Sequence, residues 1–226
     1  DAQESRGLGD VYKRQDQVGS DAEGFYLSPI GTFKTAGNKG EDFSFIHVTD
    51  TQNWYGNQFG MDEAWYGAST LEEALKIYPD IDYIAHTGDI VEISESEDEW
   101  VDILEQSKKS LMSKMLVPAS GNHDELSFDD GYSRPKDFNR HFNVPVTNNA
   151  IDGGSYYSYD YNGVHFIVAN TNDYKDDGKM IGPAQREWIK DDVKKARENG
   201  AEWIILAYHK PCLLYTSDAA DDSLRV

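Results

Sequence analysis

The chain has 226 residues, 38% hydrophobic and 12% aromatic, with a formal net charge of -20 from 21 Lys and Arg against 41 Asp and Glu. That composition describes a globular protein with one sizeable core and excludes a disordered chain. It also argues against a nucleic-acid backbone or an anionic membrane as partner, so an anionic substrate would need local positive charge, for example from metal ions.

The apolar runs, such as Trp203–Tyr208, are far too short to cross a bilayer. A single Cys, Cys212, excludes a disulfide framework. The two ends read differently from the rest. Asp10–Gln15 can be encoded by a DNA element whose reverse complement, read one base on, encodes Cys212–Thr216 and the start of the Ser217 codon. Residues 1–15 and 212–226 therefore resemble the two transposase adapters of a sequencing library, translated in frame, and they are set aside from fold reasoning. On this reading the native stretch is 16–211, cut at both ends and still acidic, with 17 Lys and Arg against 35 Asp and Glu. Both flanks are expected to lack specific packing.

In chain order, residues 24–37 (GFYLSPIGTFKTAG) predict two short strands with Ser, Pro and Gly turns, followed by a linker. From Phe43 strands and helices alternate. FSFIHVTD is a strand, and STLEEALKIYP carries a capping box at Thr70 and Glu73. IDYIAHTGD is the next strand. SEDEWVDILEQSKKSLM is a helix with Trp100, Ile103, Leu104 and Leu111 on its apolar side. KMLVPAS is a third strand. GSYYSYDYNGVHFIVANT predicts a hairpin turning at Asn162-Gly163, with alternating tyrosines packing one face. GPAQREWIKDDVKKARENG is a helix with Pro183 near its start and Gly200 just past its end. AEWIILAYH is the last strand. Alternation of this kind predicts an α/β fold with helices packed outside a sheet, and a ligand site beyond the carboxyl ends of the strands.

Those strand ends are polar. They read HVTDTQ, AHTGDIVE, PASGNHDE and LAYHKP, so each apolar run stops at residues able to bind a metal: Asp50 with Gln52, Asp89, Asn122 with His123, and His209. One such Asp is an ordinary turn or cap residue, and one such His an ordinary structural histidine. Four clusters in this order are hard to explain as turns.

The motifs DTQ, GDIVE, GNHDE and YHKP resemble, in order, those of the calcineurin-like metallophosphoesterases, in the purple-acid-phosphatase-like branch. The resemblance implies an α/β/β/α sheet sandwich flanked by helices over 43–211, truncated at its C-terminus, and preceded over 16–38 by the last strands of a fibronectin-III-like domain. It implies two metal ions (Fe, Mn, Zn or Mg) that clamp a phosphate ester while a metal-bound hydroxide attacks phosphorus. Asp89 takes the bridging position, Asp50 and Gln52 the first metal, and Asn122 and His209 the second. His123 steadies the phosphoryl oxygens or protonates the leaving oxygen, and Asp124 orients it. The implied reaction is hydrolysis of phosphate mono- or diesters by a secreted or cell-surface enzyme.

Three departures qualify the resemblance. Gln52 stands where many members have His. Glu92 stands where purple acid phosphatases carry a Tyr, so no purple colour is expected; it reads equally as a ligand or as an exposed acid. The family's G-H-x-H motif, due after Pro211, is missing from the sequence, which predicts an incomplete and weakly active or inactive site. A second reading therefore stays open, in which the fold is kept as a catalytically decayed binding module. His47, His86 and His165 are read as core or supporting residues, His141 as surface, and Asn170–Gly178 as a solvated loop in preference to a lining of the substrate cleft.

Overall fold

The computed structural model describes residues 11–14, 17–20, 24–52, 64–128, 135–145, 155–173 and 180–210. The stretches 1–10 and 212–226, most of both flanks, lie outside them.

Two three-stranded sheets face each other. The first is parallel, with β5 (Phe45–Val48), β6 (Tyr83–His86) and β7 (Met115–Pro118) in that order. Parallel neighbours need a crossover. Helix α1 (Ala64–Ile77) supplies the one between β5 and β6, and α2 (Glu97–Leu111) the one between β6 and β7. The second sheet runs β10-β9-β8. β8 (Tyr157–Tyr161) and β9 (Val164–Val168) form the antiparallel hairpin, and α4 (Pro183–Glu198) carries the chain over to β10 (Trp203–Ala207), parallel to β9. The turn residues Asn162 and Gly163 have φ of 49 and 89, the two left-handed positions of a type I′ turn, as the Asn-Gly pair predicts.

The period-two pattern divides each strand between two cores. Tyr83 and Val117 of one sheet meet Tyr157, Tyr161, Phe166 and Val168 of the other, and Phe43 and Phe45 pack against them. The opposite side of β6 presents Ile84 to Leu71 and Leu75 of α1, with Leu111 of α2 in the same cluster. Trp100, fully buried, anchors α2 among Ile90, Val91, Ile103 and Phe138. On the far side Tyr156 packs on Trp188 of α4. The layers are thus helix, sheet, sheet, helix, the arrangement the resemblance implies.

Some local expectations change. Helix α1 extends back to Ala64, so Thr70 is inside it, its hydroxyl donating to the Tyr66 carbonyl one turn earlier instead of capping (2.8 Å). His141 is not a surface residue; its ring stacks on Trp100 with centroids 4.4 Å apart, because α3 (Lys136–His141) closes over that end of α2. His47, on an edge strand, is exposed but bonds the Thr87 hydroxyl (2.8 Å). Asn170, Thr171 and Asp173 are buried, so the first half of their loop is not solvated; residues 174–179 lie outside the described ones.

Among the described residues four short strands precede this domain. β2 (Gln17–Ser20) pairs with β3 (Gly24–Leu27), and β1 (Val11–Arg14) with β4 (Gly31–Lys34). β1 lies within the stretch that reads as adapter, where no specific structure is expected. β4 is tied to the layered domain by Lys34, whose ammonium donates to Asp82 (2.7 Å).

Candidate metal centre

The ends of β5, β6, β7 and β10 converge. Asp50 follows β5, Asp89 follows β6, and His209 follows β10; one ligand atom of each lies within 4.8 Å of the others. The two aspartates share an unusual backbone. Both have φ of 55, a left-handed conformation that L residues other than Gly, Asn and Asp rarely hold. Neighbouring bonds impose it. The Asp50 amide donates to the Gly88 carbonyl (3.0 Å) and the Gln52 amide to the Asp89 carbonyl (3.1 Å), extending the β5–β6 pairing into the two loops. Gly121 lies so close to Asp89 that an added Cβ would stand 2.2 Å from its Oδ1, which explains the glycine before Asn122.

His209 shows what the cluster is suited to hold. Its Nδ1 lies 3.0 Å from the Thr87 carbonyl oxygen, so that nitrogen carries the proton. The other, Nε2, stands 3.2 Å from Oδ2 of Asp89. A lone-pair nitrogen and a carboxylate oxygen at that distance call for positive charge between them, either a second ring proton or a cation. Burial alone would lower the His209 pKa, but its bond to Asp89 and the charges of Asp89 and Asp50 raise it. One ring N–H on a backbone carbonyl and the other nitrogen turned to a carboxylate pocket is the usual setting of a metal-binding histidine. Asp89, buried, is held below the usual carboxylate range: burial pushes it up, and His209 together with the His123 amide more than offsets that. The donor set of Asp50, Asp89 and His209 fits a divalent or trivalent metal ion.

Gln52 and Asn122 reach the same place by their backbones, Gln52 through its bond to Asp89 and Asn122 between Gly121 and His123, the last donating its amide to Asp89 Oδ1 (2.9 Å). The His123 ring lies at the rim, with Nε2 4.0 Å from Asp89 Oδ2.

Asp124 and Glu92 take places other than those the sequence predicts. Asp124 is fully buried, and its carboxylate accepts four backbone N–H groups, from Asp89, Gly121, Ile90 and Val91 (2.8–3.2 Å). It fixes the loop that carries Asp89 and does not orient the His123 ring. The three-residue 3-10 turn His123–Glu125 points its side chain inward beneath the loop. Burial pushes the Asp124 carboxyl up to about 7; the Gly121 amide opposes this and the charge of Asp89 adds to it. Glu92 holds His123 instead. The His123 Nδ1–H donates to the Glu92 carbonyl (3.0 Å), and the Glu92 carboxylate stands 3.4 Å from the same nitrogen. This leaves Nε2 facing the site. The spacing of Glu92 from Asp89, three residues on, was the only hint in the sequence.

Behind the centre, His86 is buried, with burial driving its pKa down to about 3. Below the GNHDE turn runs a second buried network: Ser120 and Asn170 both donate to Glu125 Oε1 (2.7 Å each), and Asn172 donates to the Gly121 carbonyl (2.9 Å). It ties the loop after β9 to the loop that carries Asn122 and His123.

Comparison with known proteins agrees with this fold. Residues 43–225 match the family model of the calcineurin-like phosphoesterases. A stretch of 77 residues, 34% of this chain and 16% of the other, is 30% identical to purple acid phosphatase 23 of Arabidopsis thaliana. The fold is similar to that of the purple acid phosphatase PPD1 from yellow lupin (Lupinus luteus) seeds, with a TM-score of 0.70 and 20% identity, over 91% of this chain and 37% of the lupin chain. The chain therefore spans well under half the length of either relative.

Proposed function

The chain belongs to the calcineurin-like phosphoesterase family, and from that premise we propose that it is part of a dinuclear-metal phosphoesterase that hydrolyses phosphate mono- or diesters. The observation that carries this reading is the convergence of Asp50, Asp89 and His209 at the ends of three strands. Asp50 and Gln52 would hold one ion, Asn122 and His209 the other, and Asp89 both. Bound ions supply the charge that offsets the phosphate's and lowers the pKa of attacking water. The protein's own share is to hold the ligands rigid and to place a proton donor. His123, its ring fixed by Glu92, presents Nε2 toward the site, where it binds a phosphoryl oxygen or protonates the leaving oxygen. Asp124 keeps the Asp89 loop in its left-handed turn.

The family's G-H-x-H motif does not occur in the 226-residue sequence, so this chain is expected to turn over weakly or not at all, and the protein to act outside the cell or at its surface. Hydrolysis of an aryl phosphate by the longer parent, with Mn2+ or Zn2+ supplied, tests the assignment. Asp89→Asn should abolish it, and full activity in that variant would refute the metal-centre role. Gln52 in place of His is the feature that favours the binding-module reading; an intact pocket with no turnover in the parent would support it.

A further inference from the structure

His86 stands directly behind the metal centre, 4% exposed, at the end of β6. Its two ring nitrogens face different loops. The Gly88 amide donates to Nδ1 (3.2 Å), and Nε2 lies 2.8 Å from the Thr51 hydroxyl. A backbone N–H can meet only a bare ring nitrogen, so Nδ1 is the acceptor and the neutral ring carries its proton on Nε2, donating it to Thr51. Thr51 lies between Asp50 and Gln52, and Gly88 immediately precedes Asp89.

Both aspartates occupy left-handed backbone, and Gly88 between them and His86 has φ of 106. Such conformations persist only where the surroundings over-determine them. The ladder of backbone bonds between the loops is one constraint; the His86 clamp is a second and independent one, made through side chains. On its other side Thr51 faces Gly67 of α1, where an added Cβ would stand 2.9 Å from the Thr51 Cβ. The His86 bond ties Thr51 to the end of β6.

We propose that His86 is a positioning residue of the metal centre, joining Gly88 to Thr51 so that the Asp50 and Asp89 carboxylates are held at the separation one ion needs. The assignment rests on the metallophosphoesterase reading above. It concerns preorganisation, not chemistry: His86 touches neither substrate nor metal, and acts through Asp50 and Asp89.

Thr51→Val keeps the shape of the side chain and removes the hydroxyl. His86→Asn keeps an oxygen for the Gly88 amide and loses the reach to Thr51. The test is calorimetric titration of the full 226-residue chain and these variants with Mn2+, alongside the melting temperature of each metal-free protein. Each single variant should bind Mn2+ about ten-fold more weakly or worse, the usual effect of losing a group that orients a metal ligand. The double variant should bind no more weakly than His86→Asn alone, since both changes cut the same bond. A purely structural histidine would instead lower the metal-free melting temperature and leave affinity unchanged in the variants that still fold. Unchanged Mn2+ affinity in Thr51→Val, or additive losses in the double variant, would overturn the proposal while leaving the metal-centre reading intact. Failure of the unsubstituted chain to bind Mn2+ would overturn both.

Discussion

Asp124→Asn is the substitution whose consequences the structure defines most fully. The side chain keeps its size, and the site is fully buried, so no cavity opens. What changes is hydrogen bonding. In the native protein Oδ1 accepts from Ile90 and Val91, and Oδ2 from Asp89 and Gly121. An asparagine has one oxygen. Whichever way the amide turns, two backbone N–H groups lose their acceptor and meet an NH2 instead. A buried donor without a partner costs roughly 1–3 kcal/mol, so two cost about 2–6 kcal/mol. That is a large share of the 5–15 kcal/mol typical of a whole domain. At roughly 2–4 °C per kcal/mol for a chain of this size, the melting temperature should drop by on the order of 10 °C. The effect should concentrate at the metal centre, because the four amides belong to the loop bearing Asp89 and to Gly121. Thermal unfolding followed by circular dichroism, with amide hydrogen exchange of residues 88–91, measures both. A melting temperature within about 2 °C of the unsubstituted protein, with protection at 88–91 retained, would refute the reasoning.

Other consequences follow from the same contacts. His165 bonds Asp160 through Nδ1 (2.8 Å) and Asp192 of α4 through Nε2 (2.9 Å); burial lowers its pKa, but these two acids, Asp192 first, raise it overall. A raised folded pKa gives stability that is fully present below the ordinary histidine value near 6.5 and is lost as pH climbs through the folded value. Denaturant unfolding between pH 6 and pH 9 should therefore show stability declining as pH rises through the folded His165 pKa, a decline that His165→Gln removes; parallel curves for the two proteins would contradict it. On the proposed function, Glu92→Gln should slow hydrolysis of alkyl phosphates, whose leaving oxygen needs a proton, by about ten-fold, a part of the 10²–10⁴ that a positioned acid supplies, and should spare aryl phosphates. Equal effects on both substrates would remove His123 from the proton-donor role.

Much of this was legible beforehand because the relevant physics is local. Asn162-Gly163 has to turn, Pro183 suits a helix start, and apolar runs ending in Asp50, Asp89 and His209 mark strand ends where a sheet exposes its ligands. The places where reading fails are those where partners are remote in sequence. Asp124 accepts amides 33–35 residues away, so its neighbour His123 was a poor guide to its role. Glu92 turns to a histidine 31 residues on. His141 stacks on Trp100 only because a short helix folds back over α2. Thr70 and Glu73 satisfy the capping pattern, yet the helix starts earlier, since Ala64, Gly67 and Ala68 bury a further turn against the core.

Metal binding by the three converging side chains underlies everything proposed for this site. Calorimetric titration of the unsubstituted chain and of Asp89→Asn with Mn2+, under one set of conditions, measures it. Saturable binding by the first and none by the second is the predicted result. Equal binding by both, or by neither, would contradict it.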